Sequence, residues 1–99
     1  MYVVREVLSC RPGKVGELKK KFMALGDVLD RLGYPRMRLL TDFAGLPFWT
    51  LVAESEAESI EAFEQMENRV MAEADAQQIM AGYHDLIASG RREVYRLQS

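Results

Sequence analysis

The sequence is poor in the residues that make metal and redox chemistry easy. It has one cysteine, Cys10, and one histidine, His84, among 99 residues. A lone cysteine excludes a disulfide framework within the chain, and no Cys/His spacing of the zinc-site kind exists. Charge of one sign is scarce too. Thirteen Lys and Arg stand against fifteen Asp and Glu, a net charge of −2. The densest basic runs, Lys19-Lys20-Lys21 and Arg91-Arg92, are too short for the basic stripe that a nucleic-acid partner selects. No apolar run approaches the ~18 residues that span a bilayer, so no membrane partner is expected. Met1 to Glu6 meets charge too early for a signal peptide, which predicts a cytoplasmic location. P-loop, dinucleotide fingerprint and nucleophile elbow are all missing. No metal and no cofactor is expected.

What is present is apolar. Hydrophobic residues make up 48% of the chain, enough for a core within one domain over residues 1–99. A domain of this size buries only about two-thirds of the surface its unfolded chain exposes. Burial against a second copy is a natural remedy.

Tyr2 to Cys10 is Val-rich without a helix breaker and predicts a strand, ended by Arg11-Pro12-Gly13. From Gly13 to Leu32 the apolar positions Val15, Leu18, Phe22, Leu25, Leu29 and Leu32 step by three and four, one face of a helix. The lysine triplet falls on its wet side. Gly33 is placed to stop this helix, and Pro35 keeps it from resuming. Arg36 to Phe43 alternates as a half-buried strand, and Phe48 to Ala53 predicts a third, the pair forming a hairpin. Ser55-Glu56-Ala57-Glu58 fits a capping box opening a second helix. That helix runs on with a bend near Asp75, and its spacing continues through Tyr83, Leu86 and Ile87 to Ser89, with Gly90 as the stop. Arg91 to Leu97 is the last strand. The order β-α-β-β-α-β predicts an α+β, ferredoxin-like fold: one four-stranded antiparallel sheet with helices on one face and a split second helix.

Both parities of the first and third strands carry apolar residues. Tyr2, Val4 and Leu8 alternate with Val3 and Val7, and Trp49 and Leu51 with Phe48 and Val52. Two apolar faces need two layers of cover. Helices supply one, and a second subunit is the simplest other, so a homodimer is expected.

Arg11-Pro12-Gly13-Lys14 with Glu17-Leu18, and Ser89-Gly90-Arg91-Arg92-Glu93-Val94-Tyr95 entering the last strand, carry a resemblance. The chain resembles the dimeric α+β barrel superfamily, and within it the small NIPSNAP-like and antibiotic-biosynthesis-monooxygenase-like proteins. The resemblance spans nearly the whole chain. It implies two sheets packed face to face into a barrel, with a pocket between sheet and helices. Its motifs are turns, which specify fold more than function.

The candidate site residues each have a plainer structural account. His84 is a candidate general base or ligand, and equally a polar residue near a helix C-terminus. Haem-degrading members resemble this chain in pairing a strand Trp with a late-helix His, here Trp49 and His84. They also use an Asn on the first strand, and this one has none. Arg5, Glu6, Arg38, Arg92 and Arg96 are strand charges able to bind an anion or hold a carboxylate, and cross-strand ion pairs are the simpler account. Tyr83 and Tyr95 are candidate hydroxyl donors. The six methionines suit a plastic pocket or plain core filling. Cys10 reads as an inert small hydrophobe. The expected site is therefore a small-molecule pocket between sheet and late helix, with ligand-binding Trp49, Arg38, Tyr83 and His84, and with His84 and Tyr83 as catalytic candidates. Two functions follow: a small-molecule binding or non-catalytic dimeric module, and a cofactor-independent, monooxygenase-like or isomerase-like enzyme acting on an aromatic or polyketide-like substrate.

Overall fold

The computed structural model describes residues 1–99. Its elements are β1 (Tyr2–Cys10), α1 (Val15–Arg31), β2 (Arg38–Thr41), β3 (Thr50–Ala57), α2 (Ile60–Met71), α3 (Ala74–Met80), a 3-10 turn (Tyr83–Leu86) and β4 (Ile87–Arg96). The four strands form one antiparallel sheet in the order β2-β3-β1-β4. This is the ferredoxin-like α+β arrangement, with the helices on one face.

Strand pleating sorts the residues. Tyr2, Val4, Glu6, Leu8 and Cys10 of β1 face the helices, level with Ala57, Ser55, Ala53 and Leu51 of β3 along the register. Val4, Leu18 and Leu51 are the largest fully enclosed side chains. They join the sheet to α1, which buries Leu18, Phe22, Leu25, Gly26, Val28 and Leu29, the face its three-and-four spacing predicts. The helix ends as Gly33 predicts. Gly33 takes φ +85°, its N–H donates to Asp30 O at 3.1 Å, and Tyr34 N–H donates to Leu29 O at 2.9 Å. That is a Schellman closure, which needs a left-handed residue at this point.

Four local expectations are corrected. The cap of α2 is Ser59, whose Oγ accepts from Ala62 N–H at 3.0 Å, not Ser55. Ser55 lies in β3, because pairing with β1 carries that strand on to Ala57. Phe48 and Trp49 precede β3 rather than belonging to it. The late helix does not reach Ser89. It breaks first at Ala72-Glu73 and then after Met80, where Ala81 is extended and Gly82 takes φ +78°. Ile87 to Gly90 instead open β4, ten residues long, pairing with β1 around a register shift at Ser9/Cys10. A Cβ at Gly90 would come within 2.9 Å of Leu8 Cδ2, so a larger residue there would make that methyl shift. Finally, Lys21 is not merely on the wet side. Its ammonium donates to Ile79 O and Ala81 O, both at 2.9 Å, closing the C-terminal end of α3.

The open face of the sheet is mixed rather than apolar. It carries Val3, Val7, Leu40 and Val52 among paired charges. Arg5 Nε bonds Glu54 Oε2 at 2.8 Å, Arg38 approaches the other oxygen at 3.7 Å, and Arg91 bonds Glu93 at 2.8 Å. Arg5 is thus ion-paired across strands to Glu54, and Arg38 stands beside the same acid.

Candidate functional site

A cavity of about 470 Å³ lies between the helix-facing side of the sheet and the helices. Thirteen of its 18 lining residues are hydrophobic. β1 contributes Val4, Glu6 and Leu8 by the period-two pleat, and α1 contributes Phe22, Leu25 and Leu29 by the helical one. Met37, Met66, Met71 and Met80 line it from three segments, the approach to β2, α2 and α3. Most of the methionines therefore do form a pocket wall, the adaptable surface that unbranched thioethers give. The volume falls in the range that holds a small organic molecule, roughly 300–1,000 Å³.

The cavity exists because the two long helices sit differently. α1 is packed on the sheet, whereas α2 buries only Phe63 and Val70. α3 is pinned to α1 at both ends, by Lys21 at one and by Arg31 to Glu73 and Asp75 at the other. α2 has no such pin to α1. Besides the packing of Phe63 and Val70, one ionic contact ties it to the sheet: Glu67 Oε2 accepts from Arg92 Nη2 at 2.8 Å.

Arg92 is the centre of the polar end. It stands on β4 opposite Glu6 of β1, and its Nε donates to Glu6 Oε1. Its guanidinium also lies 5.1 Å from the centre of the Phe63 ring, a cation–π distance. Partial burial pulls this guanidinium down. Hydrogen bonds and charge from Glu6 and Glu67 outweigh that and hold it above its usual value. Arg92 is therefore a locked cation, unsuited to proton transfer. Ser55 and Asn68 complete the polar lining.

The residues named from sequence divide. Tyr83 lines the cavity, presented by the 3-10 turn rather than by a helix, and its hydroxyl makes no hydrogen bond within the chain. His84 stacks on the Tyr83 ring with centroids 4.0 Å apart, but it is exposed and outside the lining. Arg38 is on the open face beside Glu54, since β2 pairs Leu39 with Ala53 and so turns Leu39, not Arg38, toward the helices. Trp49 is exposed in the β2–β3 loop with φ +66°, a left-handed conformation unusual for a bulky residue. Its carbonyl is held by Cys10 N–H at 2.8 Å, and Asp42 Oδ1 accepts from Thr50 N–H at 2.9 Å beside it. The four are therefore not brought together: Tyr83 reaches the cavity from the 3-10 turn, His84 lies outside the lining, Arg38 is on the open face and Trp49 is in the β2–β3 loop. Glu67 was missed. The signal was there: the three-and-four stripe through Phe63, Val70 and Ala74 runs through Met66 or Glu67, so an acid falls on the inward face of α2. Cys10 is buried, and burial first, then the Asp42 charge, push its thiol up. No cluster of three or more His, Cys, Asp or Glu is placed to hold a metal ion.

The fold defines the class: a βαββαβ ferredoxin-like α+β protein with a pocket between sheet and helices. Within it, the chain has the fold of NIPSNAP and antibiotic-biosynthesis-monooxygenase-like proteins. An uncharacterized NIPSNAP domain protein from Burkholderia xenovorans superposes with a TM-score of 0.82 at 17% identity, over 100% of this chain and 96% of that one. A NIPSNAP family protein from Agrobacterium tumefaciens gives 0.81 at 16%, over 98% and 85%. A proposed antibiotic biosynthesis monooxygenase from Nitrosomonas europaea gives 0.71 at 14%, over the whole of both chains. No family model and no curated protein matches the sequence. At such identities the likeness concerns the fold.

Proposed function

We propose that the chain is a binding protein for a small, largely apolar molecule held between the sheet and α2. One observation carries this: a cavity of about 470 Å³, mostly hydrophobic, lined also by a compact ionic group and by Tyr83. Apolar walls with a few convergent polar groups are what small-molecule sites share. The test is uptake of the neutral fluorophore N-phenyl-1-naphthylamine. Binding should saturate at one probe per chain. Met66→Trp, which fills the cavity from α2, should abolish it, and His84→Ala should leave it unchanged. Uptake that survives Met66→Trp would place the probe elsewhere and overturn this reading.

The reading includes a cytoplasmic homodimer joined through the open sheet face. Val3, Val7, Leu40 and Val52 lie there, and the β2–β3 loop exposes Phe43, Leu46, Phe48 and Trp49. The three arginines and three glutamates on that face, Arg5, Arg38, Arg91, Glu54, Glu56 and Glu93, sum to zero charge. A second copy therefore meets no net repulsion. Light scattering should give twice the chain mass of 11.3 kDa, and Val7→Asp should halve it. A monomer in the unsubstituted protein would refute the dimer without touching the cavity.

A second function is favoured by one further observation. The structural likeness to the proposed antibiotic biosynthesis monooxygenase from Nitrosomonas europaea covers both chains completely. In that case the same cavity would hold an electron-rich aromatic substrate, with Tyr83 as the hydrogen-bond donor to it. Oxygen uptake with polyphenolic substrates, lost in Tyr83→Phe, is the expected sign.

A further inference from the structure

We propose that the cavity sorts its ligands by charge, accepting an apolar chain with a neutral or cationic hydrogen-bond-donating head and rejecting a carboxylate of the same length. This rests on the binding function proposed above and adds the class of ligand to it. An arginine in an apolar pocket ordinarily suggests an anion site. Here the arginine is already paired twice. Arg92 gives Nε to Glu6 and Nη2 to Glu67, and its guanidinium lies near the Phe63 ring, with Nη1 left unbonded within the chain. No other arginine, lysine or histidine lines the cavity. The lining therefore carries two carboxylates against one guanidinium, an excess of one negative charge.

Both acids also keep spare acceptors. Arg92 engages one oxygen of each carboxylate. Glu6 Oε2 and Glu67 Oε1 accept no hydrogen bond within the chain. An ammonium or hydroxyl entering this end meets unused acceptors, and an ammonium also gains from charge assistance. A carboxylate meets the same oxygens as a like charge, and the N–H groups still open to it on Arg92, those of Nη1, belong to a guanidinium that two acids already outweigh. The apolar end sets few demands on shape, because four methionines border it.

The experiment displaces bound N-phenyl-1-naphthylamine with decylamine, 1-decanol and decanoate at pH 7.5, where the amine is cationic and the acid anionic. Decylamine and decanol should displace it at concentrations at least about tenfold below decanoate, a difference of about 1.4 kcal/mol. In the Glu6→Gln, Glu67→Gln double variant the guanidinium is freed and the order should reverse in favour of decanoate. Glu67→Gln alone, a change on a half-exposed helix position, should narrow the gap and serves if the double variant does not fold. Decanoate matching decanol in the unsubstituted protein overturns the charge selection and leaves the binding function standing. So does a bound probe that none of the three displaces. An order unchanged by both variants overturns the role given to the glutamates. Failure of the probe to bind at all overturns the binding function, and the selection with it.

Discussion

The two faces of the sheet use the same residues to opposite effect. On the covered face one arginine, Arg92, stands between two acids, Glu6 and Glu67. On the open face one acid, Glu54, stands between two arginines, Arg5 and Arg38. The first group joins β4, β1 and α2, and closes a cavity. The second joins three neighbouring strands and encloses nothing. Both follow from register: β1 brings Glu6 level with Arg92 and, one residue along, Arg5 level with Glu54. A one-residue slip would exchange the faces. The difference lies in what covers each group. A polar cluster under a loosely held helix has a pocket beside it, and the same cluster in a flat ladder has only solvent or another sheet.

If the covered face holds the fold together, its core should respond most. Leu18→Ala removes a side chain with no exposed surface, at the join of α1 and sheet. It should cost about 2–5 kcal/mol by urea unfolding. Lys20→Ala, on the exposed side of the same helix, should stay within about 0.5 kcal/mol. Equal effects would show that the face of α1 has been misassigned. Arg92→Leu comes next, at about 1–3 kcal/mol, because it leaves two half-sheltered carboxylates facing each other. It should also raise amide exchange along α2 more than along α1, since α2 loses its ionic tie to the sheet. Arg38→Gln is the open-face counterpart. Its contact with Glu54 is long and its side chain is 78% exposed, so the change should cost almost nothing. Were Arg38→Gln to match Arg92→Leu, the two faces would not differ as described.

How much of this was legible beforehand depends on the range of the interactions involved. β1 and α1 were legible because local pattern decides them: a Val-rich run ended by Pro12-Gly13, and a three-and-four stripe ended by Gly33. The limits of β3 and β4 were not, because partners in β1 set them. Ile79, Met80, Tyr83, Leu86 and Ile87 do keep helical spacing, yet Gly82 breaks the run and Ile87 finds a strand partner in Cys10. That glycine was the available signal. The site was legible only in pieces. Tyr83, Glu6 and Arg92 were each noticed, but whether they share one cavity depends on how far α2 stands off the sheet, a distance no periodicity encodes. Ser59 opens α2 without an acid three residues on, which is why Ser55 was the more attractive cap.

The smallest effect concerns Glu93, and it tests whether the open face stays open. Its two oxygens are both engaged: Tyr95 OH donates to one at 2.9 Å and Arg91 Nε to the other at 2.8 Å. The hydrogen bond from Tyr95, then that from Arg91, hold the carboxyl below its ordinary 4.5. The fold therefore favours the charged form, and at acid pH the unfolded chain binds more protons. Glu93 should contribute stability above about pH 4.5 and lose it as pH falls through the depressed value. Tyr95 shows the other sign. The hydrogen bond it gives to Glu93 raises its phenol above 10.0. Its contribution is full below pH 10 and fades as pH rises through the raised value. Urea midpoints of the unsubstituted protein and of Glu93→Gln should thus differ slightly at pH 7 and converge toward pH 3. Added salt should shrink the gap if the face is wet, because exposed pairs are screened. A gap that resists salt and grows with protein concentration would mean that a second copy covers the pair. In that event the open face would be a buried interface, and its ladder as sheltered as Arg92.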